Sequence, residues 1–323
     1  MRILVNADRT KLATMMDATN LQLIELSQKY ADVEFHGPGW PGNNGQTILE
    51  VEARFQPDVV LFWGDLVEAK YGTDRFLGAD RLKAPAILNI QDHWHDPPFR
   101  QKVIREFNFK AVLTRWTAGV QRTYPDWGLS VVHLCLPHAV NTKAFWSTSK
   151  NLKKYDVLVS GAMYPAFYPN RIRLRDIALS LEHRCRVHIQ PHPGYWTNDV
   201  GYLGKGQSAL GELFQQSRVC VVGTLFEHSH RCHPQKLWEA TACGALSFSD
   251  LNPLDADYSL LSAHTWQVHM SKSDAQIADS IQRAIEASDR IATSWVPRCE
   301  YASLDSRTRQ LVDILDAFVH TYC

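Results

Sequence analysis

The chain has 323 residues, 34 basic and 34 acidic side chains, a formal charge of zero and seven cysteines with no CxxC pair. This length suits two α/β domains better than one core. Balanced charge argues against a protein held to nucleic acid by phosphate neutralisation alone, and scattered thiols argue against a disulfide framework. No apolar run reaches membrane-spanning length, and the opening MRILVNADRTK lacks a signal-peptide core, so a cytoplasmic protein is expected.

In chain order, Arg2–Asn6 is an apolar strand and Lys11–Lys29 has helical periodicity. Val33–His36 is a second strand, followed by the turn-rich loop GPGWPGNNG. Thr47–Phe55 reads as a helix. DVVLFW (Asp58–Trp63) and APAILNI (Ala84–Ile90) are continuous apolar runs, as in strands covered on both faces. Phe99–Phe107 is a helix, and Ala111–Thr114 and Val131–Leu136 are strands. The polar, basic Thr148–Tyr155 is the expected linker.

A second alternation then begins. Strands are expected at Asp156–Ser160, Arg186–Gln190, Arg218–Val222 and Ala245–Ser249. Helices are expected at Arg171–Leu181, Ala209–Gln216, Pro234–Ala242, Asp274–Ala287 and Ser306–Tyr322. Strands alternating with helices imply parallel, doubly wound sheets, here two Rossmann-like domains facing a cleft. The expected domains are 1–147, 156–305, and a terminal helix 306–323 packing near the first domain.

Several motifs are absent. There is no GxGxxG after the first strand, no GxxxxGK[ST] and no GxSxG, which disfavours NAD-dependent, P-loop and α/β-hydrolase chemistry.

The richest stretch is RCHPQKLWEATACGALSFSD (Arg231–Asp250). Arg231 and Lys236 precede one acid, Glu239, around a helix start. Cations and a helix N-terminus suit a diphosphate, and a carboxylate suits a ribose diol. The alternative for Glu239 is a surface acid paired with Lys236. The small residues Ala240–Ala245 let the helix lie close to a sheet.

Upstream, Gly161 closes a strand, where a missing side chain lets a ligand approach the backbone. Arg171, Arg173 and Arg175 open the next helix, against the macrodipole. They indicate either a phosphate site, chiefly at Arg171, or a solvated basic face. In the first half, QDHWHD follows strand AILNI. Asp92 and His93, ahead of His95 and Asp96, could orient an acceptor hydroxyl or take its proton; an interdomain hydrogen-bonding loop is the alternative. Gly64-Asp65 is a weaker candidate.

His228, His230, Cys232 and His233 match no common zinc spacing, so no metal is expected, and His228 or His230 is placed near the diphosphate instead. His192 reads equally as an ordinary loop histidine. Trp40, Trp94 and Trp196 lie in loops and could stack on a sugar or base.

Three passages together resemble GT-B glycosyltransferases of the group 1 type, and most of all the CgeB-like, spore-maturation branch. They are LCLPHAVNTKAFW (134–146), LVSGAMYPAFYPNRIRL and KLWEATACGALSFSD; the strand RVCVVG also fits, and GPGW is similar to a passage of the same branch. The resemblance implies a nucleoside-diphosphate sugar on the second domain and a hydroxyl acceptor on the first. It assigns Glu239 to the ribose, and Arg171, Arg231 and Lys236 to the diphosphate. Gly161 would admit the donor. It also implies transfer with retention and no required metal.

One position departs from the pattern. Many retaining members carry an acid eight residues before the ribose glutamate, and here that residue is Arg231. Arginine there could stabilise charge on the leaving diphosphate. Other readings are a sugar-nucleotide epimerase of the same fold and a non-catalytic sugar-nucleotide-binding protein. The acceptor could be a glycan, a protein, a small molecule or a modified base in DNA.

Overall fold

The computed structural model describes residues 1–13, 18–42, 45–64, 72–91, 96–115, 131–145, 153–166, 168–190, 206–223, 235–251, 264–292 and 301–322. The chain divides into two compact units. One is Met1–Pro137 with Leu304–Cys323, and the other is His138–Ser303.

The first unit holds strands β1 (Arg2–Ala7), β2 (Asp32–His36), β3 (Val59–Trp63), β4 (Ala86–Ile90), β5 (Ala111–Thr114) and β6 (Val132–Cys135). They form one sheet in the order β2-β1-β3-β4-β5-β6, parallel at every pairing. Its helices are α1 (Arg9–Leu12), α2 (Ala18–Leu26), α3 (Ile48–Phe55), α4 (Pro97–Glu106) and α9 (Leu304–Tyr322).

Alternation along the strands sends side chains to both faces. Leu4, Val60, Phe62, Leu88 and Val112 form a core with Ile48, Val51 and Phe55 of α3 and Val103 and Ile104 of α4. Elsewhere in the unit α9 lies against α2, where the Thr308 hydroxyl donates to the Leu23 carbonyl at 3.3 Å.

Local chemistry explains the helix starts. Thr47 and Glu50 form a reciprocal capping box on α3. The Asp8 carboxylate accepts from the amides of Thr10 and Lys11 at the start of α1. That cap starts the helix at Arg9, two residues before the Lys11–Lys29 stretch that carries helical periodicity. The described residues there fold as α1, α2 and a 3-10 turn at Ser27–Lys29.

The second unit has β7 (Tyr155–Ser160), β8 (Val187–Gln190), β9 (Ser217–Val221), β10 (Leu246–Ser249) and β11 (Thr265–Gln267). The order is β11-β10-β9-β7-β8, again all parallel. Helices α5 (Pro169–Ser180), α6 (Gly206–Gln215), α7 (Gln235–Ala242) and α8 (Asp274–Ala292) complete it.

Val157, Val159, Val219 and Val221 pack with α5 and α8 through Leu174, Ile177, Ile277 and Ile281. The opposite core takes Leu158, Cys220 and Val222, with Phe214 of α6 and Leu237 and Trp238 of α7. Val140, Ala144 and Phe145 are buried in that same core. Residues 138–145 therefore belong to the second unit, although the expected first domain ran to residue 147. The end of the expected linker is also structured. The Lys153 ammonium donates to the carbonyls of Gln215, Ser217 and Gly244 at 2.9, 2.9 and 3.2 Å.

Strand β11 was not expected, because three residues offer too little alternation to be seen in the sequence. It forms because β10 supplies a partner edge, pairing Ser247 with Thr265 and Ser249 with Gln267.

Candidate functional site

In a parallel sheet, ligands gather at the carboxyl ends of strands where the strand order reverses. In the second unit this switch point lies between β7 and β9, and each strand ends in glycine. Gly161 follows β7 with φ of +121°, a conformation side chains resist. Gly223 follows β9 after Val222.

Between these ends lies Arg171, the third residue of α5, 4% exposed. Its Nε and Nη2 donate to the Gly223 carbonyl at 3.2 and 2.9 Å. Its Nη1 donates to the Ala162 carbonyl at 2.9 Å. The Tyr168 ring lies 3.9 Å from the guanidinium carbon. A side chain at Gly161 would place Cβ 2.8 Å from Arg171 Nη1, and one at Gly223 would place it 2.7 Å from Arg171 Cα. Both glycines are therefore shaped around Arg171.

The neighbouring arginines turn elsewhere. Arg173 binds Asp274 at 2.8 Å and the carbonyls of Met270 and Lys272. Arg175 binds Asp176 at 2.6 Å. Of the three, Arg171 faces the strand ends, while the other two join the ion pairs of an ordinary basic helix face.

Helix α7 follows β9 and carries Lys236 and Glu239. The sequence places small residues here, and Ala240, Thr241, Ala242 and Cys243 are buried at 0–2% exposure, so the helix lies tight on the sheet. Glu239 is buried too, at 6%. Its Oε1 accepts from the Gln235 amide at 2.9 Å.

Burial pushes the Glu239 carboxyl above its ordinary value, with Lys236 and Gln235 pulling the other way. Burial likewise lowers Lys236; Glu239 opposes that shift and Arg171 adds to it. Two cations and one carboxylate thus lie close together, where an anionic ligand would relieve Lys236. Beside them, Asn170 Nδ2 donates to Asp250 at 2.6 Å. The Cys220 thiol, wholly buried, is pushed up to about 12 and is unreactive.

Arg231 lies outside the described residues, as do His228, His230, Cys232 and His233. So do Asp92, His93, Trp94, His95, Asp65, His192 and Trp196. Among the described residues no group of three His, Cys, Asp or Glu side chains is placed to hold a metal, and no helix is long and apolar enough to cross a membrane.

In the first unit, the GPGW loop closes over the end of β1. Trp40 Nε1 donates to the Ala7 carbonyl at 2.8 Å, and the Arg9 amide donates to Pro38 at 2.9 Å. A Cβ at Gly37 would fall 2.4 Å from Ala7 O. Trp40 is 7% exposed, its ring stacked on Phe35 at 4.1 Å with Arg9 5.4 Å from its centroid. It is a packing residue and not the exposed stacking platform its loop position suggested.

Sequence reading overlooked Gly223, Gln235 and a buried group in the first unit. There Arg115 bonds Asn20 and the carbonyls of Leu136 and Pro137, and Asn20 donates to Gln91 at 3.2 Å. Gly223 was detectable as a glycine directly after a strand, and Gln235 as a residue four before Glu239 on one helix. Arg115 had no signal, because its partners are distant in sequence.

No protein-family model and no curated protein matches the chain. Solved structures do. Sucrose-phosphate synthase from Thermosynechococcus elongatus aligns over 99% of both chains, with a TM-score of 0.63 and 12% identity. The T4 phage BGT, solved with its UDP-glucose substrate, aligns over 98% of both at 0.56 and 11%. WaaG, a glycosyltransferase involved in lipopolysaccharide biosynthesis, aligns over 97% of this chain and 99% of its own at 0.55 and 10%.

The chain has the GT-B fold. At these identities the likeness establishes fold and no more. It does agree with the two parallel-sheet α/β domains expected from the sequence. It does not reach the narrower CgeB-like branch.

Proposed function

We propose that this GT-B protein is a glycosyltransferase that moves a sugar from a nucleoside-diphosphate donor to a hydroxyl acceptor. One observation carries the reading. A buried carboxylate, Glu239, and a cation, Lys236, share the first turns of a helix at the carboxyl edge of a parallel sheet, held by Gln235. Glu239 would accept from the ribose diol, while Lys236 and Arg231 would face the diphosphate.

In this reading Asp92 and His93 orient the acceptor and take its proton. Arg231 would also stabilise the leaving diphosphate. Retention is proposed on the sequence resemblance, and the charge work assigned to Arg231 and Lys236 requires no metal. The T4 phage protein solved with UDP-glucose supports a sugar-nucleotide donor for a chain of this fold.

A thermal-shift screen against UDP-, GDP-, ADP- and dTDP-sugars tests the reading. A ligand bound only by the folded state raises the melting temperature, by about 2.7 kcal/mol of stabilisation at a hundred times its Kd. At least one sugar nucleotide is expected to do so, and Glu239→Ala is expected to abolish the shift. No shift from any of them would sink the proposal.

A second reading has its own support. A putative UDP-N-acetylglucosamine 2-epimerase from Listeria monocytogenes shares the fold, with a TM-score of 0.52. An epimerase would turn over the donor with no acceptor added, whereas a transferase leaves only slow hydrolysis under that condition.

A further inference from the structure

We propose that Arg171 is a positioning residue. It holds the carboxyl ends of β7 and β9 in the shape that receives the donor, and does not itself bind the diphosphate. The inference rests on the donor-site reading above and revises one of its residues.

Arg171 has the charge and the location expected of a phosphate ligand, but its guanidinium is engaged inward. All three nitrogens donate to main-chain carbonyls at the two strand ends that flank the switch point. The group is 4% exposed and lies under the Tyr168 ring. Both glycines that terminate these strands are closed to any side chain by Arg171 itself. Strand ends, glycines and guanidinium therefore form one fitted unit.

There is a chemical reason for such a unit. Buried main-chain carbonyls at a strand end need donors, and one planar guanidinium supplies them to both ends at once. That fixes the spacing of Gly223 and Ala162, and with it the floor on which a whole nucleotide would rest. Lysine is a poor substitute, since an ammonium lacks the planar fork that sets two donors on the Gly223 carbonyl and a third on Ala162.

The test compares Arg171→Lys with wild type by calorimetry. The probes are whichever of UDP, GDP, ADP and dTDP the wild type binds, and the matching nucleoside without phosphates. Arg171→Lys should weaken both by a similar factor, about tenfold, because the floor under the whole nucleotide is disturbed. Lys236→Met, for comparison, should weaken the diphosphate alone.

Selective loss of the diphosphate in Arg171→Lys would make Arg171 a direct ligand and overturn the inference. Unchanged affinities in a folded variant with a lower melting temperature would make its role purely structural and overturn it equally. If Arg171→Lys does not fold, Gly223→Ala takes its place. It presses on the Arg171 backbone but keeps the guanidinium, and it too should weaken both probes alike; unequal loss overturns the inference. Wild type that binds none of the four diphosphates removes the donor reading, and this inference with it.

Discussion

The Gln235 side-chain amide donates to Oε1 of Glu239 at 2.9 Å, one helical turn along α7. The bond fixes the carboxylate on a short helix whose other side is closed by the core. If Glu239 holds a ribose, Gln235→Ala should weaken donor binding about tenfold, the usual scale for a hydrogen bond to a charged group. Calorimetry with the sugar nucleotide found by screening checks this. Unaltered affinity would detach Gln235 from the site.

Glu239 bears a cost in the folded state, since burial raises its carboxyl above the ordinary value of 4.5. For an acid with a raised folded value, that cost is fully present above the folded value. It shrinks as pH falls toward 4.5 and is gone below it. Glu239→Gln should therefore raise the melting temperature at pH 8, and the gain should fade in acid while donor binding is lost. Melting curves across pH 4 to 8 test this, and a stability loss at pH 8 would contradict it.

Gly211 lies where α6 meets the segment after β6, and a Cβ there would fall 1.9 Å from the Ala144 carbonyl oxygen. Both partners are backbone, so neither can yield by a rotamer change. Gly211→Ala should cost about 1–3 kcal/mol. At Gly64 the nearest atom to a new Cβ is Arg75 Nη1 at 3.6 Å, an ordinary contact. Gly64→Ala should stay within about 0.5 kcal/mol. Equal melting temperatures for the two variants would refute the packing described.

Trp40 combines a stacked ring with a bond to Ala7. Trp40→Phe keeps apolar volume but loses the donor, for about 1 kcal/mol, whereas Trp40→Ala removes the ring for about 3–5 kcal/mol. Neither should alter nucleotide affinity in folded protein. A binding defect without destabilisation would restore Trp40 as a ligand contact.

A good deal of this was written locally in the chain. Continuous apolar runs marked strands covered on both faces, and DVVLFW emerged as β3 with all five of its residues, Val59 to Trp63, buried. The helix read over Thr47–Phe55 does begin at Thr47, because its cap is a contact between residues three apart, Thr47 and Glu50. Lys236, Glu239 and the small residues after them fell on one helix for the same reason: helical spacing places them before any tertiary contact forms.

What remained hidden depends on distant partners. Arg171, Arg173 and Arg175 form one charge pattern at a helix start, which singled out Arg171 only as a phosphate contact and not as a clamp on strand ends. Only the docking of α5 on the sheet turns Arg171 toward Gly223, fifty-two residues away, and leaves Arg173 to Asp274. The unit boundary was obscured likewise, since the burial of Phe145 depends on α6 and its Phe214. The sequence by itself determined the strand–helix alternation and the Lys236–Glu239 helix, because these arise from periodicity and near neighbours. Tertiary packing alone decided which arginine is drawn between the strand ends, because that choice depends on which face of the helix the core requires.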